Sequence, residues 1–463
     1  MNRTKCFNTG SALVSISLLI VTLSGLFSPV LSLEVSLEKA MEVGQIALAN
    51  GDLAYAETVA KAILKESPNS VQAYLFLSSV FNIKGDFKAS HDAAKTANKL
   101  SVTQDQKHNS ALALGVAAAN AKRQLMAEYW LRKSLNYTRD INKKRFAVSL
   151  LGEVRKNSPW RRSLSFGVTP SSNINGGSSA NEIIINDLEF ILDPNAKSIK
   201  GLGFNYGLGI SYQKKKATDV TFFWSADVSG VVYKIYPTAE QEKLGVKASD
   251  YDYHRVSMRT GYAFGKNSNH KWLRQMVLST ELSRDWYGGN VLANTAGVSA
   301  SKSVSLNQTS KLLFKLAYEK RFRKDLKERS STAKMVDVKY DKLLASKDLF
   351  SFKLYASDRS SLSAEIANIR VGAEISYKLN PRNLSFQPEF ILGYERTLFD
   401  RPFLTSDRRA DKKLTAGVSV KLLKLSYFGF NPTIGYTYQK TISNNNLHNS
   451  YRSFFRVGLQ SQF

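Results

Sequence analysis

The chain has 463 residues and a mass of 51.7 kDa, enough for one small domain and one large one. Lys and Arg number 65 against 38 Asp and Glu, a formal charge of +27, but 43% hydrophobic residues exclude a disordered polybasic tail. A mean hydropathy of −0.26 with a single long apolar run excludes a polytopic helical membrane protein. One cysteine, Cys6, excludes a disulfide scaffold and a thiolate metal cluster.

The N-terminus reads as a secretory signal over residues 1–32. Arg3 and Lys5 precede an apolar stretch from Ala12 to Phe27, Pro29 breaks it, and Val30-Leu31-Ser32 leads to a cut near Leu33. From 33 to 137 the period is helical. Gly51-Asp52-Leu53-Ala54-Tyr55-Ala56 returns as Gly85-Asp86-Phe87-Lys88-Ala89-Ser90, 34 positions later, the repeat length of the tetratricopeptide (TPR) helix hairpin. A third copy, through Ala111–Gly115 and Leu125–Leu131, completes the number of hairpins that can bury a continuous core. Tyr55, Tyr74, Phe76, Phe81 and Trp130 are expected mainly as packing residues.

Residues 138–160 are expected as a basic connector, with Arg139, Lys143, Lys144, Arg145, Arg155 and Lys156. Beyond it the period becomes two. Leu202, Phe204, Tyr206, Leu208, Ile210 and Tyr212 alternate with Gly203, Asn205, Gly207, Gly209 and Ser211. An apolar face opposite glycine and charge (Asp227, Glu281, Glu374, Lys421) is the pattern of a transmembrane barrel. Fourteen strands are expected over 161–463, antiparallel and even in number as closure of a bacterial barrel requires. Short connectors such as Lys214–Thr218, Ser346-Lys347 and Asn380-Pro381-Arg382 are expected to alternate with loops at 170–199, 234–251, 323–332, 398–410 and 441–450. The chain ends on an alternating strand and Phe463, which resembles the signal read by barrel-assembly machinery.

Signal, short TPR region and fourteen-strand barrel together resemble the surface lipoprotein assembly modifier family. The local matches are Pro170-Ser171-Ser172-Asn173-Ile174-Asn175, Arg408-Arg409-Ala410-Asp411, Gly429-Phe430-Asn431-Pro432 and Ser443-Asn444. By this resemblance Asn173, Asn175, Arg409, Asp411, Gly429, Pro432, Ser443 and Asn444 are motif positions, and their chemistry suits turns and strand ends. The family's frequent acidic residue in the first turn is Ser172 here, and Leu447-His448 follows the Ser-Asn.

No catalytic constellation emerges. The five histidines (His91, His108, His254, His270 and His448) lack metal-ligand spacing, and there is no nucleophile elbow or phosphate loop. Neither enzyme activity nor a cofactor is expected. The resemblance implies an outer-membrane translocon of a Gram-negative bacterium. Its TPR region would dock an exported client, a lipoprotein or a soluble protein, in the periplasm. The other expected partners are the barrel-assembly machinery and outer-membrane lipid, including lipopolysaccharide, which account for the basic charge better than nucleic acid does. A TPR-capped exopolysaccharide exporter and a passive porin with an accessory domain are the alternatives.

Overall fold

The computed structural model describes residues 36–185, 188–217, 219–382, 384–402, 407–425 and 430–461. The expected signal, Gly429 and Phe463 lie outside the described residues. Two compact units divide the chain near Ser158.

The first unit is built of helix hairpins: α1 (Leu37–Ala49) with α2 (Leu53–Glu66), α3 (Val71–Lys84) with α4 (Phe87–Leu100), and α5 (Gln104–Asn120) with α6 (Gln124–Asn136). The repeated Gly-Asp makes both of the first two turns. Gly51 and Gly85 sit at φ +80° and +84°, where a side chain would be strained, and Asp52 and Asp86 cap the next helix. Ala56 and Ser90 are buried where the helices approach, as their small size requires. Ser78 and Ser90 exchange hydroxyl-to-carbonyl bonds of 2.9 and 2.8 Å across α3 and α4. The third turn departs from the interval. Lys122 takes the left-handed position at φ +58°, 37 positions after Gly85, and Arg123 caps α6 without a side-chain bond. Among the expected packing residues, Phe76 is buried and Tyr55 is 48% exposed.

Residues 138–160 are not merely a connector. They carry α7 (Ile141–Asn157), whose Ala147, Leu151 and Val154 are buried. Leu151 and Val154 pack on Ala118, Ala127 and Leu131 of the preceding hairpin. The basic residues lie mostly on the remaining face. Lys143 reaches Asp105 at 2.8 Å and Arg155 reaches Glu128 at 3.8 Å. An apolar stripe at spacings of four and three gives the helix its buried side, with the charges gathered at its two ends.

The second unit opens with β1 (Trp160–Ser171), followed by a separate hairpin of β2 (Glu182–Ile185) and β3 (Leu188–Ile191). Next come β4 (Lys200–Ala217), β5 (Val220–Tyr236), the short α8 (Ala239–Lys243), β6 (Tyr253–Phe264), β7 (Met276–Tyr287) and β8 (Asn290–Ser305). After these lie β9 (Ser310–Arg323), β10 (Ser331–Leu343), β11 (Leu349–Ser361) and β12 (Asn368–Lys378). The last four are β13 (Phe386–Pro402), β14 (Arg408–Leu422), β15 (Phe430–Ser443) and β16 (Ser450–Ser461). Without β2 and β3, the strands of the described residues close a fourteen-membered antiparallel barrel, each beside its chain neighbour, with β1 against β16. Closure leaves no open sheet edge in the ring.

The alternation sets the two faces. Met258, Leu282, Leu316 and Leu392 lie 53–64% exposed on the outer wall. Such apolar area would be unfavourable in water and is the surface that hydrocarbon covers. No helix among the described residues is long and apolar enough to cross a membrane.

The expected alternation of connector length holds at β1–β4 and β5–β6 but not around the whole ring. At the same end (the loop end), β7 and β8 are joined by Gly288-Gly289 alone, at φ +57° and +77°. At the opposite (turn) end, β6 and β7 are separated by 265–275, which contains a helical turn at Lys271–Leu273. Two consecutive residues that accept positive φ permit the two-residue turn.

Candidate functional site

The expected motif positions fall at both ends of the barrel. Pro432 lies at the turn end, pairing with Leu459 of β16, while the β14–β15 ladder stops one residue short, at Lys421–Thr433. A residue without an N–H suits the end of a ladder. Its neighbour Asn431, which sequence reasoning left without a role, is fully buried there. Its Nδ2 donates to the carbonyls of Leu422, Leu423 and Leu425 at 2.8–3.2 Å.

The loop end brings the other six positions into one hydrogen-bonded collar. Asn173 is 1% exposed. Its Nδ2 donates to Gly177 O at 2.9 Å and to Tyr451 O at 3.3 Å, while Oδ1 accepts from Gly177 N at 2.9 Å. Asn175 ties the loop to itself: Nδ2 donates to Lys197 O at 2.8 Å and Oδ1 accepts from Ile199 N at 3.0 Å. Asn444 extends the β14–β15 ladder with its side chain, accepting from Ala410 N at 2.7 Å and donating to Arg408 O at 2.9 Å. Arg409 and Asp411 form a two-pronged pair at 2.9 and 2.6 Å, and the guanidinium lies 4.2 Å from the centre of the Phe399 ring.

Asn449 joins the two halves of the collar. Its Oδ1 accepts from Ser443 N at 2.8 Å, and its carbonyl accepts from Ser179 N at 2.8 Å. Only the Asn-rich composition of 444–449 hinted at this residue. Beside it, Ser172 and Ser453 bond three times, N–H to carbonyl at 3.0 Å, N–H to hydroxyl at 2.9 Å and hydroxyl to hydroxyl at 3.3 Å, linking strand ends 281 positions apart. Gln241 of α8 donates to Pro194 O at 2.9 Å, so the second long loop packs on the first.

This clasp sits over the seam between β1 and β16. β1 pairs with β4 along its whole length, Trp160 to Ser171, and among the described residues with β16 at Phe166–Val168 and Ser171.

His448 lies within the same collar. Burial first, then the Arg409 guanidinium, lower its pKa to about 4 from an ordinary value near 6.5, so the imidazole is neutral at pH 7. Its Nε2 is buried without a hydrogen-bond partner among the described residues. The unfolded chain binds a proton more readily than the folded one. The His448 contribution to stability is therefore present above about pH 6.5 and is lost as pH falls toward about 4. Hydrogen exchange of 444–449, corrected for intrinsic rates, should speed up across that window in the native protein and not in His448→Gln. The same acceleration in both would show that another group controls the collar.

The inner face is charged and cross-linked. Glu281 accepts from Arg255 at 3.0 Å and from Arg259 at 2.8 Å. Asp285, fully buried, is held by Arg321 at 2.8 Å, by Arg255 at 3.6 Å and by the Tyr253 hydroxyl at 3.0 Å. Across β11 to β13, Tyr355 donates to Glu395 at 2.9 Å, and Arg370 and Lys413 approach the same carboxylate. Lys378 lies 3.4 Å from Glu389.

A closed ring with apolar side chains outside and ion pairs inside defines an outer-membrane β-barrel, here carried on one chain with TPR-type helical repeats. Residues 160–463 match the sequence profile described as surface lipoprotein assembly modifier, and the chain belongs to that family. No curated protein matches the chain. Among solved structures, the barrel is similar to OccAB3 of Acinetobacter baumannii at 8% identity and TM-score 0.34, over 65% of this chain and 98% of that one. A bacterial polysaccharide outer membrane secretin is similar at 8% identity and TM-score 0.32, over 64% of this chain and 98% of that one. The Arabidopsis OM64 TPR domain is similar at 17% identity and TM-score 0.23, over 26% of this chain and 94% of that one. The family match alone carries the classification.

Proposed function

We propose that this protein is a translocon that delivers a client protein, lipidated or soluble, across the outer membrane to the cell surface. The family match over the entire barrel carries the proposal. The TPR hairpins face the periplasm and dock the client. The loop end, with its clasp of 172–199 against 444–449, faces outward and borders the exit. The barrel performs no chemistry and needs no cofactor. Its wall of ion pairs offers an arriving chain hydrogen-bonding partners in place of water. Phe463 serves as the mark read by the assembly machinery.

Comparing the proteins of the cell surface and medium with and without this chain tests the reading. One or a few proteins should disappear from the surface fraction and accumulate in the periplasm, with bulk outer-membrane proteins unchanged. An unchanged surface proteome with altered uptake of small solutes would support a porin instead.

A further inference from the structure

On several strands the outward apolar face is interrupted, toward the loop end, by a cation. On β13 the outward residues Phe386, Pro388, Phe390, Leu392 and Tyr394 lead to Arg396. Leu398 follows one pleat beyond it, and on β14 and β15 Lys412 and Lys440 likewise interrupt the outward face, between Leu414 and Ala410 and between Tyr438 and Ile442. The ten residue-to-residue steps from Phe386 to Arg396, at ~3.4 Å each and tilted by ~40°, climb about 26 Å, the height of an outer-membrane apolar band. These cations therefore stand near the upper edge of the apolar band, with Leu398 and Ile442 one pleat beyond them.

They also stand together. Arg396 and Lys412 are direct cross-strand partners, and Lys440 lies opposite Leu414, one pleat below Lys412 on the next strand. Like charges placed directly opposite are unfavourable unless an anion bridges them. The nearby carboxylates do not serve: Glu395 and Asp411 point to the inner face and are taken by Arg370, Lys413 and Arg409. Arg396 and Lys412 are exposed and make no ion pair among the described residues. Lys440 has the Tyr451 ring at 5.6 Å.

We propose that Arg396, Lys412 and Lys440 form a binding site on the barrel's outer wall for the phosphate of an outer-leaflet glycolipid. The assignment of leaflet rests on the orientation proposed above. A planar guanidinium grips phosphate through two parallel bonds, and two ammonium groups supply point charges beside it. The acyl chains then run down the apolar wall, where Ala416 leaves a furrow between its cross-strand neighbours Leu392 and Tyr438. A related arrangement recurs on β7–β10. There Lys334 lines an apolar hollow of about 760 Å³ with Leu278, Val298 and Leu316. Lys334, however, faces Asp358 across the ladder, so its pull on phosphate is weaker.

The test uses the full chain in detergent, titrated with lipid A and with its enzymatically dephosphorylated form and read by native mass spectrometry. The variant Arg396→Gln/Lys412→Gln/Lys440→Gln should bind lipid A about tenfold or more weakly than the native protein, a loss of ~1.4 kcal/mol or more. Both proteins should bind the dephosphorylated form equally. The variant Lys214→Gln/Lys342→Gln, altered on the same wall at the turn end, should retain native affinity for lipid A. Equal lipid A binding by the folded triple variant, or an equal loss in the turn-end variant, would overturn the site. If the triple variant does not fold, single Arg396→Gln and Lys412→Gln changes read against Arg396→Lys decide the question. Weakening in the Gln variants with retention in Arg396→Lys supports the site, and no weakening in either overturns it. Client delivery plays no part in this readout. Failure of the translocon reading leaves it standing, and surface cleavage at a protease site in 323–332 checks the orientation independently.

Discussion

Deleting residues 33–157 behind the leader is expected to leave the barrel at native abundance and to abolish surface display of the client. The apolar clusters of the helical unit draw on residues between Leu37 and Val154. The barrel's ladders are closed among its own strands, so its backbone groups are satisfied in lipid without the helices. Stacked hairpins supply an extended docking surface that a bare ring lacks. A cut at 137 should behave worse than one at 157. It strands α7 without Ala127 and Leu131, exposing Leu151 and Val154 at roughly 1.5–3 kcal/mol of lost burial each. Heat-modifiable barrel measured against surface client separates the outcomes. Native client display from the longer deletion would remove the helices from the delivery step, and loss of the barrel itself would show that the units fold together.

The boundary of that deletion shows where the sequence was readable. Period two with a polar opposite face is a property of each strand alone, so the ring of fourteen was visible before any contact was known. The Gly-Asp turns were visible for the same reason, since positive φ and capping act within a few residues. Helix α7 escaped because its apolar segment is short and flanked by Lys143-Lys144-Arg145 and Arg155-Lys156, with Gly152-Glu153 breaking it before Val154. Only the facing hairpin shows that Ala147, Leu151 and Val154 form a stripe. The turn at Lys122 escaped because it uses neither the glycine nor the spacing of the other two.

The collar was legible only as a set of residue types. Asn, Ser, Arg and Asp near strand ends announce turns, and Asn175 does make local turn bonds. What Asn173, Asn444 and Asn449 do depends on partners brought in by closure, because Asn173 meets Tyr451 from 278 positions away. His448 gave no signal at all. Its lowered pKa comes from burial among loops that are distant in sequence and from Arg409.

Replacing Asn173 with Leu should open the clasp and weaken the ring where β1 meets β16. The change removes two donated bonds and one accepted bond, leaving the carbonyls of Gly177 and Tyr451 without the Asn173 donor while the Gly177 N–H keeps Asn175 Oδ1 at 3.2 Å. Each buried group left without a partner costs about 1–3 kcal/mol. Among the described residues β1 pairs with β16 at Phe166–Val168 and Ser171, and Asn173 stands in the small set of bonds, with Ser172–Ser453 and Arg452 to Ser171, that continue this seam at the loop end. The temperature at which the folded band converts to the unfolded one should therefore fall, and protease should cut within 176–198 on intact cells. Asn175→Leu provides the contrast. Its bonds run to Lys197, Asn195, Ile199 and Gly177, all within the same loop, so that variant should become protease-sensitive while the barrel keeps its native conversion temperature. Equal conversion temperatures for Asn173→Leu and the native protein would show that the seam holds without the clasp, and that the loop contacts position the exit rather than close the ring.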